Sequence, residues 1–300
     1  MGRELLIGLF LMATGLFAQE LPILDSLAYW GRQSLESPIF AVRDSSNQKF
    51  LRALKDYLSE EGHFREPLSQ CTNVLRLESP DERFAIYTWQ RPDQDFKYQQ
   101  YGLIAGDFRG GTKVIELQDQ WDNLLDLNFK TFKPEEWPGA IYYSILPIED
   151  EKDQYLLLGL NMGETINQKI IEVLEVSKRG KVRFGAKKFK IENFVDKVFR
   201  KPPMRLILQY NAKYSATVRW NPEAEKVIMD HLAPPEPKMK GLYQVYGPDF
   251  SYDALYWEDD WFHLQTGVDF NTGQEIQIRP PSQPLGLPGK KPAEVENPQR

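Results

Sequence analysis

What most constrains this chain is a succession of short runs rich in β-branched and aromatic residues, each closed by turn residues. They fall at 84–89, 98–105, 113–117, 140–146, 154–160, 169–176, 181–184, 205–210, 216–220, 226–231, 242–246 and 261–265. Such residues fit a pleated, half-buried surface. Lys181-Val182-Arg183-Phe184 alternates strictly, as a strand with one wet face must. Short connections favour antiparallel pairing, because a parallel neighbour needs a crossover of about a dozen residues or more. The expected fold class is therefore mainly β: an antiparallel multi-strand meander, built as an irregular barrel, a sandwich or a propeller-like array, with a short helical N-terminal segment.

The helical segment shows in two places. Ile23, Leu24, Leu27 and Trp30 lie near helical spacing within 22–34. Phe50, Leu51, Leu54, Tyr57 and Leu58 share one face of a helix predicted over 47–58, with Ser45 or Ser46 to cap its start and Gly62 to suit its end. Within the β region only 118–127, with Trp121, Leu124 and Leu125, reads as a short helical interruption. There is also a faint echo. Ser79-Pro80-Asp81 precedes Ala85-Ile86 at the same distance as Asn221-Pro222-Glu223 precedes Val227-Ile228. Polar-Pro-acidic before an apolar run is a turn-then-strand signal. The first copy resembles the motif that opens blades of periplasmic β-propellers, although a full array would carry one copy per blade.

The two ends differ from the middle. Met1-Gly2-Arg3-Glu4 is short and polar, Leu5 to Phe17 is apolar, and Ala18 precedes Gln19-Glu20. Positive start, apolar run and small residue are the order of a secretory signal peptide cut after Ala18, with Leu16 an unusual occupant three residues before the cut. The thirteen apolar residues are short for a bilayer span of roughly 20. No cysteine follows the run, so lipid anchoring is not expected. The expected location is the periplasm or outside the cell, in soluble form. Residues 280–300 hold six prolines and little apolar content, the composition of a disordered tail. The expected division is a signal peptide at 1–18, a helical segment at 19–62, a β-rich domain at 74–278 and a Pro-rich tail at 279–300.

Apolar residues make up 41% of the chain and aromatics 13%, enough for a sizeable core. The net charge of −6 argues against a nucleic-acid partner. Cys71 is the only cysteine, so packing rather than an internal disulfide must hold the fold together.

No motif of an established catalytic class is present: no G-x-S-x-G, Walker loop, G-x-G-x-x-G or H-E-x-x-H occurs. The three histidines, His63, His231 and His263, show no metal-ligand spacing. The densest chemistry runs from Met229 to His263. Eight aromatics and five carboxylates fall between Tyr243 and Phe262. Aromatic faces beside acids suit sugar binding, with Tyr252, Trp257 and Trp261 as the candidate stacking residues. Paired acids drawn from Asp249, Asp253, Glu258, Asp259 and Asp260 are what glycoside hydrolysis requires. The plainer account is that the aromatics fill a β core and the acids cap turns. Asp230 and His231 are a candidate acid–base pair, although adjacent strand residues point to opposite faces and Asp230 also suits a turn before Pro234-Pro235. Glu258-Asp259-Asp260 and the loop at 269–275 offer hard oxygens to calcium, without the order of a calcium-loop motif.

One charged stretch stands apart. Residues 178–205 carry eleven Lys or Arg against Glu192 and Asp196, a net of +9 in an acidic chain. Such a face can meet an anionic surface, or it can be a solvated sheet face that discourages edge pairing. The acidic segment 249–260 is a possible partner for it within the molecule.

Four phrases together resemble a group of exported β-rich proteins of Bacteroidota that have no assigned function. They are Ser79-Pro80-Asp81 with Ile86-Tyr87-Thr88-Trp89, Tyr155-Leu156-Leu157-Leu158-Gly159, Asp230-His231-Leu232 with Pro234-Pro235, and Tyr246-Gly247-Pro248-Asp249-Phe250-Ser251-Tyr252-Asp253. The resemblance implies an exported protein and carries over no catalytic residue. The expectation from the sequence is a non-catalytic binding or interaction protein of the cell envelope, with an envelope protein or a glycan as partner. A secreted hydrolase acting on glycans is the alternative.

Overall fold

A computed structural model of the chain describes residues 22–95 and 97–274. The signal peptide expected at 1–18 and the tail expected at 279–300 lie outside the described residues.

The alternation of β2 (Phe84–Pro92) explains the architecture. Phe84 and Ile86 face one core, while Ala85, Tyr87 and Trp89 face another. A strand buried on both faces must be sandwiched between two layers. β2 pairs with β1 (Val74–Glu78) and β3 (Tyr98–Phe108), and β3 pairs with β4 (Gly111–Gln118), all antiparallel. This is the first sheet. Its Ala85/Tyr87/Trp89 face carries helices α1 (Ile23–Glu36) and α2 (Phe40–Leu58), through Leu27, Phe50, Leu54 and Leu58. Cys71 is buried in the same layer at 2% exposure, and burial pushes its thiol up to about 11.

The other face of the first sheet packs on a second. There β5 (Ile141–Ile148), β6 (Glu151–Asn161) and β7 (Ile166–Val176) form a meander, with β8 (Val182–Phe184) and β11 (Arg205–Asn211) both pairing with β7. β6 and β7 are again two-faced. Tyr155, Leu157, Ile170 and Leu174 join the core shared with the first sheet; Leu156, Leu158, Ile171 and Val173 face away from it. That second face packs on a third meander, β12 (Val218–Asn221), β13 (Lys226–Ala233), β14 (Gly247–Glu258) and β15 (Trp261–Thr266). A two-residue ladder, β9 (Asn193–Phe194) with β10 (Lys197–Val198), lies in sequence between β8 and β11 of the second sheet. The molecule is thus a helical layer and three antiparallel sheets stacked face to face, and no described sheet closes into a barrel.

The echo noted in the sequence has a structural meaning. Ser79–Arg83 and Asn221–Glu225 are the first hairpin turns of the first and third sheets. Ser79 Oγ accepts from Phe84 N, and Asn221 Oδ1 accepts from Glu223 N and Ala224 N. Each turn also holds an acidic residue at positive φ, Glu82 at 57° and Glu225 at 51°; Asp150, at 60°, does the same in the second sheet. Polar-Pro-acidic marks a turn that starts a sheet in two of the three cases.

Three local expectations are corrected. α2 starts at Phe40, not Asn47, so Ser45 and Ser46 lie inside it rather than at its cap. The interruption at 118–127 is the end of β4 and a single 3-10 turn, Trp121–Asn123. The run 242–246 is no strand but holds a 3-10 turn, Tyr243–Val245, and the strand follows it as β14.

Candidate functional site

Strand alternation also builds the most developed cleft. Positions 86, 88 and 90 of β2, 100, 102 and 104 of β3, 157, 159 and 161 of β6, and 168, 170 and 172 of β7 lie on the faces where the first two sheets meet. In the middle of that interface the residues are apolar: Ile86, Ile104, Leu157 and Ile170. Toward one end they become Gln90, Gln100, Asn161 and Gln168. The space between the sheets therefore opens onto a polar mouth, a cleft of 790 Å³.

Loops complete it. The β2–β3 connection contributes Asp93, Asp95, Lys97 and Tyr98, the chain after β4 contributes Asp119 to Asn123, and the β6–β7 connection contributes Met162 to Glu164. These loops are held firmly. Arg43 of α2 donates to Pro92 O (3.1 Å) and Asp93 O (2.7 Å). Asp93 Oδ1 accepts from Asp95 N and Lys97 N, closing its own turn. Asp119 accepts from Gln100 N and Trp121 N, each at 3.0 Å. Gly139, at φ 54°, presses against that carboxylate: a Cβ there would lie 2.3 Å from Asp119 Oδ1, so only glycine fits. Asn161 Nδ2 in turn donates to Gly139 O at 2.9 Å.

The electrostatics are one-sided. Five carboxylates line the cleft (Asp93, Asp95, Asp119, Asp122 and Glu164) against Lys97 alone. Burial lifts the Asp119 carboxyl above its ordinary 3.8, although both its backbone hydrogen bonds work in the other direction. Tyr98 and Trp121 supply rings, and Gln99, Gln120, Asn123, Asn161 and Gln168 supply amides. Gln168 is 8% exposed, and its Oε1 has no hydrogen-bond partner among the described residues. A buried amide oxygen left unpaired costs about 1–3 kcal/mol.

Beneath the cleft lies a buried polar chain. Gln120 N donates to Trp137 O (2.9 Å), Trp137 Nε1 to the Tyr142 hydroxyl (3.1 Å), and that hydroxyl to Glu172 Oε1 (2.5 Å). Glu172 pairs with Arg205 at 2.8 Å, both fully buried. Arg205 also donates to the carbonyls of Leu127, Lys130 and Phe184. Burial, with the Glu172 carboxylate beside it, drives the Tyr142 phenol well above 10.

The residues singled out in the sequence lie elsewhere, on the third sheet, and they divide. His231 pairs not with Asp230 but across the ladder with Asp253, Nδ1 to Oδ2 at 2.8 Å. The register slips between Asp230 and Leu232, which turns His231 toward Asp253. That hydrogen bond raises the imidazole above 6.5, with further help from the charges of Asp253, Asp249 and Asp196. Asp230 is not a turn residue: it lies within β13, and its carboxylate accepts from Thr217 N at 2.6 Å.

The remaining candidates do not converge. Asp253 and Glu258 are five strand positions apart, roughly 17 Å at about 3.3 Å per residue, and on opposite faces. Asp249 Oδ1 is taken by Ser251 N and Oγ. Asp259 and Asp260, with φ of 50° and 64°, form the β14–β15 turn beside Glu258. Tyr252 packs on Phe270 on the outer face, whereas Trp257 packs on Phe262 in the inter-sheet core. Trp261, half-buried opposite Glu258, stands at the far end of the sheet from Tyr252. The three rings make no common platform. In the 269–275 loop, Asp269 Oδ1 is occupied by Asn271 N, Thr272 N and Thr272 Oγ1. Among the described residues, no three His, Cys, Asp or Glu side chains gather as a metal-ligand set.

Sequence reading passed over the cleft because its residues come from four strands and three loops. One signal was present. Asp119-Gln120-Trp121-Asp122-Asn123 is a polar cluster around an aromatic, directly after a strand.

Neither a protein-family profile, nor a curated protein, nor a solved structure matches this chain.

Proposed function

We propose that this chain is an exported, non-catalytic binding protein that takes a hydroxyl-rich ligand of the saccharide class into the cleft between its first two sheets. The observation that carries the reading is a 790 Å³ cleft lined by acids, amides and two rings, among them Gln168, whose amide oxygen has no partner among the described residues. The rest of the lining agrees with it. Carboxylates accept from ligand hydroxyls, amides both accept and donate, and Tyr98 and Trp121 offer ring faces to C–H groups. Five acids against one lysine favour neutral or aminated sugars and oppose uronates. The Arg3, Leu5–Phe17 and Ala18 order supports export.

Calorimetric titration with neutral, amino and uronic oligosaccharides tests the ligand class. The expected result is binding of the neutral or amino members that Gln168→Met weakens, with any binding of the uronic one indifferent to that substitution; uronic binding that Gln168→Met weakens overturns the reading. Gln168→Met removes the amide at similar volume. It should weaken binding by about tenfold without lowering the melting temperature, because an unpartnered buried polar group is removed. Mass spectrometry of the protein recovered from its native cell should give Gln19 as the first residue.

A further inference from the structure

The basic stretch at 178–205 finds no use in the cleft, and the fold sorts its charges. Arg205 is buried in the ion pair with Glu172. Lys188 pairs with Glu151 and lies over the Trp257 ring. Lys197 donates to Gln209 and lies over Tyr243. The others remain at the surface, and the fold adds two cations from another sheet. Arg109 N donates to Lys178 O (2.8 Å), and Lys113 Nζ to Arg179 O (3.0 Å). The β3–β4 hairpin therefore sits against the β7–β8 turn, with Gly180 packed on the Phe108 ring. From there Lys181, just before β8, and Arg183 within it are exposed, two positions and roughly 7 Å apart, while Val182 and Phe184 are buried. The chain then crosses to the third sheet, where Lys188 O and Lys190 N bond the two sides of Phe262. Lys187 and Lys190 are exposed on that crossing.

The result is a strip of exposed cations running along the edges of all three sheets. None of its exposed side chains has an ion-pair partner among the described residues, and neither Asp249, Glu258, Asp259 nor Asp260 pairs with it. Repelling a foreign strand is not a sufficient use for it. The free edge of β8 is already blocked at its end by Phe132, whose N–H and C=O both bond Phe184. No large apolar side chain is exposed at 109–113 or 178–190, so the strip has nothing to insert into a bilayer. Its form is a line rather than a pocket. Lys, Arg and their spacing along extended backbone suit a partner with regularly repeated negative charge.

We infer that this strip is a docking track for a linear acidic polysaccharide, separate from the cleft and of opposite charge preference. The two sites then divide the work: one end holds a neutral or amino sugar, and the side of the stack holds the protein on an anionic polymer.

The test is retention on immobilised polyuronate and on uncharged dextran over a salt gradient, with phosphatidylglycerol vesicles as a third surface. Expected are binding to polyuronate that falls steeply with salt, indifference to salt of any retention on dextran, and weaker binding to vesicles. The double variant Lys181→Glu/Arg183→Glu should lose at least about tenfold in polyuronate affinity. The double variant Lys49→Glu/Arg52→Glu, on the exposed side of α2, should lose little. Circular dichroism checks that both fold. Salt-independent retention on polyuronate, equal losses in the two variants, or tighter binding to vesicles than to polyuronate each overturn the inference. Binding of neutral sugars in the cleft is a separate readout, so failure of one site leaves the other standing.

Discussion

The two faces of the middle sheet are packed by different means. Toward the third sheet, Leu156, Leu158, Ile171, Val173, Leu206 and Leu208 join one apolar cluster with Phe189 and Met229. Toward the first sheet, a fully buried Glu172–Arg205 pair sits among Ile170, Leu174 and Phe184. The difference follows from what each face covers. The third sheet presents regular strands whose backbone groups are satisfied in their own ladders. The first interface must also close over the long 119–140 connection, which bridges other backbone only singly, as at Phe132 with Phe184. Arg205 supplies donors to Leu127 and Lys130, and Asn128 Nδ2 donates back to Arg205 O. A buried charge is tolerable here because it answers irregular backbone. The same connection carries Asp119 to Asn123, so the polar face holds the cleft in shape while the apolar face does not.

This contrast can be broken experimentally. Arg205→Met leaves Glu172 buried without its cation and should cost about 3–5 kcal/mol. Hydrogen exchange in 120–132 should rise with it, and cleft affinity should fall. Glu172→Leu/Arg205→Met should recover much of the stability but not the order of 120–132. Leu158→Ala, on the apolar face, should cost about 2–5 kcal/mol through the cavity it leaves. Its cleft affinity should match the parent protein; a drop would show that the two faces are not independent.

A smaller effect concerns the cleft itself. Because Asp119 holds its proton to higher pH than an ordinary carboxylate, ligand affinity should decline on acidification above 3.8, and Asp119→Asn should flatten that decline. Titration calorimetry at several pH values reads both. The smallest effect belongs to the third sheet's rim. His231 has a raised folded pKa, so its pairing with Asp253 stabilises fully below the unfolded value near 6.5 and is lost as pH rises through the folded one. With the imidazole partly exposed, solvent screening limits this to about 1 kcal/mol or less. Melting curves from about pH 5 to 9, a span that brackets a histidine, should show the loss, and His231→Asn should remove it.

Most strands were legible because burial writes itself as residue type and alternation. Phe84 to Trp89 shows six consecutive positions that only a strand covered on both faces would use. What escaped did so for physical reasons. The first two turns of α2 depend on polar residues that are buried, Arg43 bonding the β2–β3 loop and Asn47 accepting from Trp89 Nε1 at 2.9 Å. Apolar periodicity does not register them. β14 is absent from the expected strands because Gly247, Pro248 and its acids resemble a turn, whereas a register slip accommodates them in the ladder. Of the candidate site residues, only His231 and Asp253 meet, across strands rather than along one. The cleft was invisible as a unit, since the amides at 90, 100, 161 and 168 become neighbours only once two sheets stack.

Cys71 gives the layered build an internal clock. As the chain's only thiol, shielded under the helices and held protonated by its surroundings, it can react with an added thiol reagent only when that layer lifts. The rate of its modification, compared with the rate of global unfolding, therefore times the helical layer separately from the three sheets. A reaction faster than unfolding would mean that the helices peel away first and leave a bare sheet face exposed.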